Sequence, residues 1–574
     1  MDRSPKKKWQ WRKPATDTSE QLVRSLGCHP VIARLLNNRS VFTSDDALRF
    51  LEPSLSHLRP PHHLLDIEKA AARIIAAVDK KENILIFGDY DVDGITATTL
   101  LYRFLDSIGA RVSYLIPHRI NEGYGLKPVH VSLHAVSRKI SLIITVDCGT
   151  SDHDAVAEAN RRGIDVIVTD HHEPPDELPP ALAIVNPKRK ECSAGMEFLA
   201  GVGVIFYLLI YLRMQLRERG YWRHGKEPNL KAVCDLVAVG TIADMVPLRH
   251  ENRVLACTGL NTLQKRGNRG MRALMERCGV DRSHVGARDI AFRIAPRLNA
   301  AGRVDHADTA MALLSTGDND EAILLAERLH ELNKQRQSLE KAVIADIDRH
   351  LTDHPENLEG DIIVLCAGGW HLGILGIVAS RMVNRYARPA VVLTQDGEVA
   401  KGSARSVPGI DLSRLLSACS GLLISHGGHA MAAGLQIAVG KIDAFRQALN
   451  QAVQDRTIGG KPAAILPIDG PLDFRKITRR LTRDLEMLKP FGEQNPPPLF
   501  VADHVRVLSS KIVGGGHRRM FLRQTRGPAF QAIHFNPPTE TVGVDVFEKV
   551  AFQPQFNRWN GREEIQLLVK DVLI

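Results

Sequence analysis

The chain reads as α/β: a parallel-sheet domain and a second α/β domain joined by a long helix, followed by a β-barrel of the OB-fold type. Three observations predict this. Strand–helix alternation begins near Asp66, with strands apolar enough to be buried on both faces. A second α/β pattern begins at Ile362, after a long helix too charged on one face to be a core helix. The last hundred or so residues turn into short β segments separated by turn signals. At 574 residues the chain far exceeds one hydrophobic core, and roughly three or four domains are expected.

Residues 1–65 read as a basic arm with short helices, punctuated by Pro and His. Lys6, Lys7, Lys8, Arg12 and Lys13 make the arm, with Trp9 and Trp11 among them. That pattern suits stacking on bases, or a frayed terminus with one tryptophan docked on the core. Residues 66–319 form the first α/β domain. An amphipathic helix (67–79) precedes the strand 84–87, ILIF. A helix over 95–105, strands over 112–116, 142–146 and 166–169, and a helix over 152–162 closed by Gly163 follow. A further helix over 230–239 leads to a turn holding Asp244. Residues 320–355 are the connecting helix. Residues 356–460 form the second domain, with a strand beginning at Ile362, strands at 390–394 and 398–403 and a small-residue stretch at 426–434. Residues 461–574 open on a linker (461–467). The barrel follows, with strands at 500–509, 520–524, 529–535, 550–556 and 565–569, and a hairpin turn at Trp559-Asn560-Gly561.

Net charge is +10, with 75 Lys+Arg against 65 Asp+Glu. This suits a polyanionic partner without establishing one. The eight cysteines are scattered with no CxxC, which argues against a zinc ribbon and a disulfide framework. Cys148 reads as packing. No apolar stretch is long enough for a membrane span, and no apolar signal core follows the basic N-terminus. A cytoplasmic protein is expected.

The chemistry-bearing residues cluster at strand ends. Asp89, Asp91 and Asp93 alternate directly after ILIF. Asp147 ends LIITV, Asp170-His171-His172 ends the strand 166–169, and Asp244 lies in its turn. In doubly wound sheets ligands bind beyond the carboxyl ends of the strands. Any one of these acids taken alone reads better as a helix N-cap; the whole set does not. Carboxylates with imidazoles and no thiolate suit Mn²⁺ or Mg²⁺ better than structural zinc. Two ions roughly 3.5–4 Å apart, sharing a carboxylate, serve in-line attack on phosphorus.

GDYDVDG (88–94), VDCG (146–149), TDHH (169–172) and GTIADMVPL (240–248) resemble the motifs of the DHH phosphoesterase superfamily. NEGYGL (121–126), APRLNAAGR (295–303), GGWHLGILGIVASR (368–381) and GGHAMAAG (427–434) resemble its bacterial single-stranded-DNA exonucleases, in the right order and over nearly the whole chain. The resemblance implies a DHH catalytic domain at 66–319, a DHH-associated substrate-binding domain at 356–460 and an OB-fold at 461–574. It places Asp91 and Asp147 on a first Mn²⁺ or Mg²⁺ ion and leaves Asp89 open there. Asp93, Asp147, His171 and Asp244 would hold a second, with Asp147 bridging. His172 would face the scissile phosphate and Asp170 would orient a histidine. Phe87 stands where some relatives carry a further histidine ligand.

For substrate, the resemblance points to Arg297, Asn299 and Arg303; to His371, Ser403, Arg405 and Ser406; and to Gly427, Gly428 and His429. Some of these would hold a 5′-phosphate. The GGHAMAAG stretch also reads as a helix–strand packing turn, and Trp370 as a domain anchor or a nucleotide contact. His517, Arg518, Arg519 and Phe521 would serve the barrel's single-strand affinity. Gln494 stands where the junction PFGEQNPPP is expected to have glycine.

The implied activity is a metal-dependent 5′→3′ exonuclease on single-stranded DNA, releasing mononucleotides in repair and recombination. A single-strand-binding protein and a helicase would assist a monomer. A cleft too narrow for duplex would explain the strand preference. Two rivals are a phosphodiesterase or pyrophosphatase for short RNA or small phosphates, and a nucleic-acid-binding scaffold with a dead site. The barrel and basic balance argue against the first, the intact acids against the second.

Overall fold

The computed structural model describes residues 8–13, 16–223, 225–455, 465–525, 527–559 and 562–574. Lys6 and Lys7 of the arm, linker positions 461–464 and Asn560-Gly561 of the hairpin turn lie outside the described residues. The fold divides into two compact units. One holds Leu48–Arg336 with Lys489–Pro496. The other holds the residues up to Ala47, Gln337–Leu488 and Pro497–Ile574. Among the described residues no helix is long and apolar enough to cross a membrane.

Residues 8–11 are tied down rather than frayed. Strand β1 (Lys8–Trp11) pairs in parallel with Ile465–Ile468. The Trp9 indole N–H donates to Asp571 Oδ2 at 2.8 Å, so Trp9 is the docked tryptophan, whereas Trp11 is exposed. Arg34 donates to the Pro471 carbonyl and Asn38 to Asp469. These contacts join the N-terminal segment to the barrel's unit.

In the unit Leu48–Arg336, strands β2 (Asn83–Gly88), β3 (Arg111–Leu115), β4 (Ile140–Val146), β5 (Asp165–Thr169) and β6 (Ala183–Val185) form one sheet of order β3-β2-β4-β5-β6. Every pair is parallel. Alternation of side chains across the pleat buries both faces. Ile84 and Ile86 pack with Ile74 and Leu101; Leu85 and Phe87 pack with Val131 and Val156 on the other side. Each such side chain contributes about 1.5–3 kcal/mol by leaving water. Helix Val92–Ser107 carries the chain from β2 to β3 at the sheet edge, and β4 then returns on the opposite side of β2. The carboxyl ends of β2 and β4 therefore flank the topological switch point, the usual ligand site of such sheets.

In the other unit, β7 (Ile363–Gly368), β8 (Ala390–Asp396), β9 (Val399–Arg405), β10 (Leu423–Gly428) and β11 (Ala432–Ala438) form a mixed sheet of order β10-β11-β9-β8-β7, with only β7–β8 parallel. GGHAMAAG is the tip of the β10–β11 hairpin at the sheet edge, not a helix–strand turn. Gly428 (φ 140°) is required there, since a Cβ would lie 2.5 Å from the Ala432 carbonyl. The end of the expected linker is strand β12 (Ile465–Ile468), the partner of β1.

The barrel is built from β13 (Gly470–Pro471), β14 (Phe500–Val513), β15 (His517–Gln524), β16 (Ala529–His534), β17 (Val546–Trp559) and β18 (Arg562–Leu573). Five long strands close through the β14–β17 pairing, as an OB barrel requires. Phe474 fills its interior edge-on to Phe530 and Phe552. The long helix spans Asn319–Asp353. Trp370, only 7% exposed, donates from its indole to Asp346 of that helix at 2.8 Å, so it is an anchor and not a nucleotide contact.

Candidate metal centre

The acids extend the strands by one residue each. Asp89 N–H donates to the Val146 carbonyl, Asp147 N–H to Thr169 and Asp170 N–H to Val185. The sheet ladder thus aligns three carboxylates side by side. Asp91 caps helix Val92–Ser107, its Oδ1 accepting from the N–H groups of Asp93 (2.9 Å) and Gly94 (3.1 Å). Asp93, in the first turn, accepts from the N–H groups of Gly201 (2.6 Å) and Val202 (2.9 Å), at the start of helix Gly201–Glu218. Asp244 caps the end of helix Cys234–Ala243. Asp147 is held left-handed at φ 63°, a conformation a non-glycine residue adopts at a cost. Gly201 leaves it room, because a Cβ there would stand 2.6 Å from Asp147 Oδ1.

These elements bring the predicted acids and histidines to one place. Oxygens or nitrogens of Asp89, Asp91 and Asp147 lie within 4.8 Å of one another, as do those of Asp93, His171 and Asp244, and those of Asp147, His171 and His172. His171 Nε2 is 3.1 Å from Asp147 Oδ1, 3.6 Å from Asp244 Oδ2 and 3.8 Å from Asp93 Oδ2. Asp147 Oδ1, Asp89 Oδ1 and His171 Nε2 are buried without a hydrogen bond. Buried polar atoms are rarely left so, and a bound cation would satisfy all three.

The electrostatics point the same way. Burial, then the Asp93 and Asp91 charges, push Asp147 far above the usual carboxylate range. Asp244 rises to about 9 through burial and the charges of Asp93 and Asp91. Burial and Asp91 lift Asp89 to about 8. Asp93 rises to about 7 by burial and Asp91, despite its two backbone donors. Burial, then the His172 charge, lowers His171 to about 3, so it is a neutral imidazole suited to ligation. Crowded carboxylates plus one neutral imidazole, without thiolate, fit Mn²⁺ or Mg²⁺.

Asp170 serves differently. It accepts from the N–H groups of Thr150, His171 and His172 and pairs with His172 Nδ1 at 2.8 Å. Burial alone would raise its pKa, but the His172 hydrogen bond and charge outweigh it and hold Asp170 well below the usual range. His172, opposed by burial but favoured by Asp170, rises to about 9. Phe87 is fully buried with its ring 5.0 Å from that of His130, which closes the position to any ligand. Cys148 is buried packing, its Sγ near the Phe87 carbonyl.

Sequence reasoning missed Tyr124. Its hydroxyl donates to the Asp147 carbonyl at 3.0 Å and lies 3.2 Å from His172 Nδ1. The only sequence signal was its place inside NEGYGL. Asp152 anchors that loop by accepting from the Leu126 N–H, with Gly125 packed against its carboxylate.

Arg297, Asn299 and Arg303 lie on helix Ala295–Val304 in the unit that holds the metal ligands. Gly302 brings that helix against the Asp89–Asp91 turn, since a Cβ on it would be 3.0 Å from the Tyr90 carbonyl. Arg297 donates to His330 and the Arg293 carbonyl, so it braces helices. His371, Ser403, Arg405, Ser406, Gly427, Gly428 and His429 belong to the other unit. There Ser403 and Arg405 face Gly376 in helix Leu375–Tyr386, whose missing Cβ would stand 2.7 Å from the Arg405 guanidinium. Strand β11 lies between them and Gly427-Gly428. Ser406 is instead structural: buried, it donates to the Ile410 carbonyl at 2.6 Å. In the barrel Arg518 is also structural, buried and donating to the Thr541 and Val544 carbonyls. Arg519, Phe521 and Arg523 alternate with the buried residues of β15, and Arg506 is cross-strand to Arg523.

Comparisons with known proteins agree along the chain. The DHH family N-terminal domain matches residues 83–241, the DHHA1 domain 359–455 and the RecJ OB domain 468–571. The single-stranded-DNA-specific exonuclease RecJ of Salmonella typhimurium is 36% identical over 583 residues, covering 99% of each chain. That of Escherichia coli is 35% identical over 582 residues, with the same coverage. The crystal structure of RecJ in complex with Mn²⁺ from Thermus thermophilus has a TM-score of 0.84 at 30% identity, covering 99% of this chain and 79% of that one. A second structure, exonuclease RecJ bound to manganese, has a TM-score of 0.59 at 37% identity, covering 70% of this chain and 96% of that one. Identity at this level over the full length of both chains, with the acids assembled at the sheet's switch point, shows that the chain belongs to the RecJ family of single-stranded-DNA-specific exonucleases.

Proposed function

We propose that the chain hydrolyses single-stranded DNA from its 5′ end, dependent on Mn²⁺ or Mg²⁺, and releases mononucleotides for repair and recombination in the cytoplasm. The observation that carries this is the convergence of Asp89, Asp91, Asp93, Asp147, Asp244 and His171 beyond the carboxyl ends of β2, β4 and β5. Asp91 and Asp147, with Asp89, would hold one ion. Asp93, Asp147, His171 and Asp244 would hold the other. Bound there, the two ions supply activation of a water and charge stabilisation at the phosphate oxygens.

The chain's own residues do the rest. Asp147, fixed by its left-handed backbone and by Gly201, would be the shared ligand. Asp170 holds the His172 Nδ1 proton and keeps the ring cationic at neutral pH, so Nε2 is the nitrogen assigned to the phosphate or to the leaving 3′-oxygen. Ser403, Arg405 and the Gly427–His429 hairpin tip are the group we assign to the 5′-phosphate. A guanidinium beside glycine-rich backbone suits that anion. The outward Arg519, Phe521 and Arg523 suit stacking and backbone tracking on a single strand. A single-strand-binding protein and a helicase would supply free ends.

The test is degradation of 5′-labelled single-stranded DNA, blunt duplex and a short RNA, with Mn²⁺ or with EDTA. Metal-dependent loss of the single strand alone is expected. Equal loss of the duplex, or cleavage of the short RNA only, would sink the proposal.

A further inference from the structure

A cavity of about 680 Å³ adjoins the metal centre within the same unit. It is lined by His171, Lys188, Phe198, Leu199, Val246 and Pro247, among others, but by neither His172 nor Tyr124. Its size falls in the range that takes a small organic ligand. The walls are built rather than incidental. Asn252, 1% exposed, donates from Nδ2 to the carbonyls of both Phe198 and Pro247 and so ties two walls together. Arg59 holds the Ala194 carbonyl and pairs with Glu251 behind the rim.

The lining mixes polar and charged side chains with apolar ones. Together with the metal-centre residue His171, Lys188 lines the cavity. Its present partner is Glu173 at 3.2 Å, an exposed carboxylate that an incoming phosphate can replace at little cost. Phe198, Leu199, Val246 and Pro247 offer apolar surface for a base. Of the two histidines only His171 lines the cavity; His172, whose Nε2 the proposed function assigns to the phosphate or to the leaving 3′-oxygen, does not. The terminal nucleotide carries that oxygen. The nucleotide that keeps the phosphate after cleavage is the second one.

Resting on the exonuclease reading, we propose that this cavity is the subsite for the nucleotide immediately 3′ to the scissile phosphate, with Lys188 at its phosphate and the apolar wall against its base. Occupied this way, it aligns the second nucleotide and readies it to become the next 5′ end.

The test uses the full chain with Mn²⁺ and 5′-phosphorylated oligodeoxynucleotides that are intact, abasic at the first position, or abasic at the second. An abasic second position should lower kcat/KM by about tenfold in the unmodified chain, the size of a lost base contact. Ser193→Trp, on the exposed rim, fills the cavity and should shrink that penalty to under about threefold while leaving the first-position penalty in place. Lys188→Met should raise KM about tenfold with a smaller change in kcat. No second-position penalty in the unmodified chain would overturn the assignment. So would a Ser193→Trp variant that loses the first-position penalty instead, or an unchanged KM in Lys188→Met. Failure of the unmodified chain to degrade any DNA would remove the exonuclease reading itself, a separate outcome.

Discussion

His171 Nε2 stands 3.1 Å from Asp147 Oδ1, and neither buried atom makes a hydrogen bond. A neutral imidazole and a carboxylate so placed, with Asp93 and Asp244 also converging on the same nitrogen, make a cation-binding arrangement. Asp147→Asn keeps the shape and removes the charge shared by both ligand groups. It should weaken Mn²⁺ binding, read by calorimetry, and lower kcat by more than about 10³-fold. Retention of both would show that Asp147 is not the shared ligand.

The metal-free chain should lose stability as pH rises. Asp93, Asp89 and Asp244 titrate at about 7, 8 and 9 in the fold, against about 3.9 for an unfolded aspartate. The folded state therefore holds these protons more tightly. Their contribution is complete below about pH 4 and is lost as pH climbs through 7 to 9. His172, raised to about 9, acts with the same sign, and His171, lowered to about 3, changes only at acid pH. In EDTA, Tm should drop by roughly 5 °C or more between pH 6 and 9.5. Excess Mn²⁺ should flatten that slope. A metal-free Tm that rises over the same interval would contradict the crowding of these acids.

Asp170→Asn tests the orienting pair. Losing the carboxylate should return His172 from about 9 toward its ordinary value near 6.5, moving the alkaline limb of the kcat profile to lower pH. At pH 8, kcat should fall by about 10²-fold. Mn²⁺ binding should survive, because Asp170 belongs to none of the ligand groups. An unmoved alkaline limb would remove His172 from the chemistry.

The barrel face makes a prediction of a different kind. Phe521 is 45% exposed and lies between Arg519 and Arg523 on the outward side of β15. Phe521→Ala should weaken single-strand binding by about 1–3 kcal/mol with the salt slope unchanged, whereas Arg523→Ala should reduce that slope by about 0.7. Fluorescence anisotropy at several salt concentrations reads both. Equal salt slopes for the two variants would show that this face does not track the backbone.

Much of the site was legible because its geometry follows from local rules. Apolar runs of strand length ending in acids place carboxylates at strand tips, and Asp89, Asp147 and Asp170 fall there for that reason alone. The residues that misled are those whose roles depend on distant partners. Arg518 sits beside Arg519 in sequence, yet alternation turns it inward to the Thr541 and Val544 carbonyls. Ser406 sits one residue from Arg405 and turns to Ile410. GGHAMAAG contains the small residues of a packing turn and also those of a hairpin tip, and only the pairing of β10 with β11 distinguishes them.

The α/β class, the OB barrel and the set of acids were written into the order of residues, because periodicity and strand-end chemistry are carried by neighbours along the chain. Packing settled which acids share a centre, that Asp170 orients His172 rather than joining the ligands, that Tyr124 belongs beside His172, and that β1 closes onto β12. Those outcomes rest on contacts between residues far apart in the chain, which only the folded tertiary structure brings within a few ångströms.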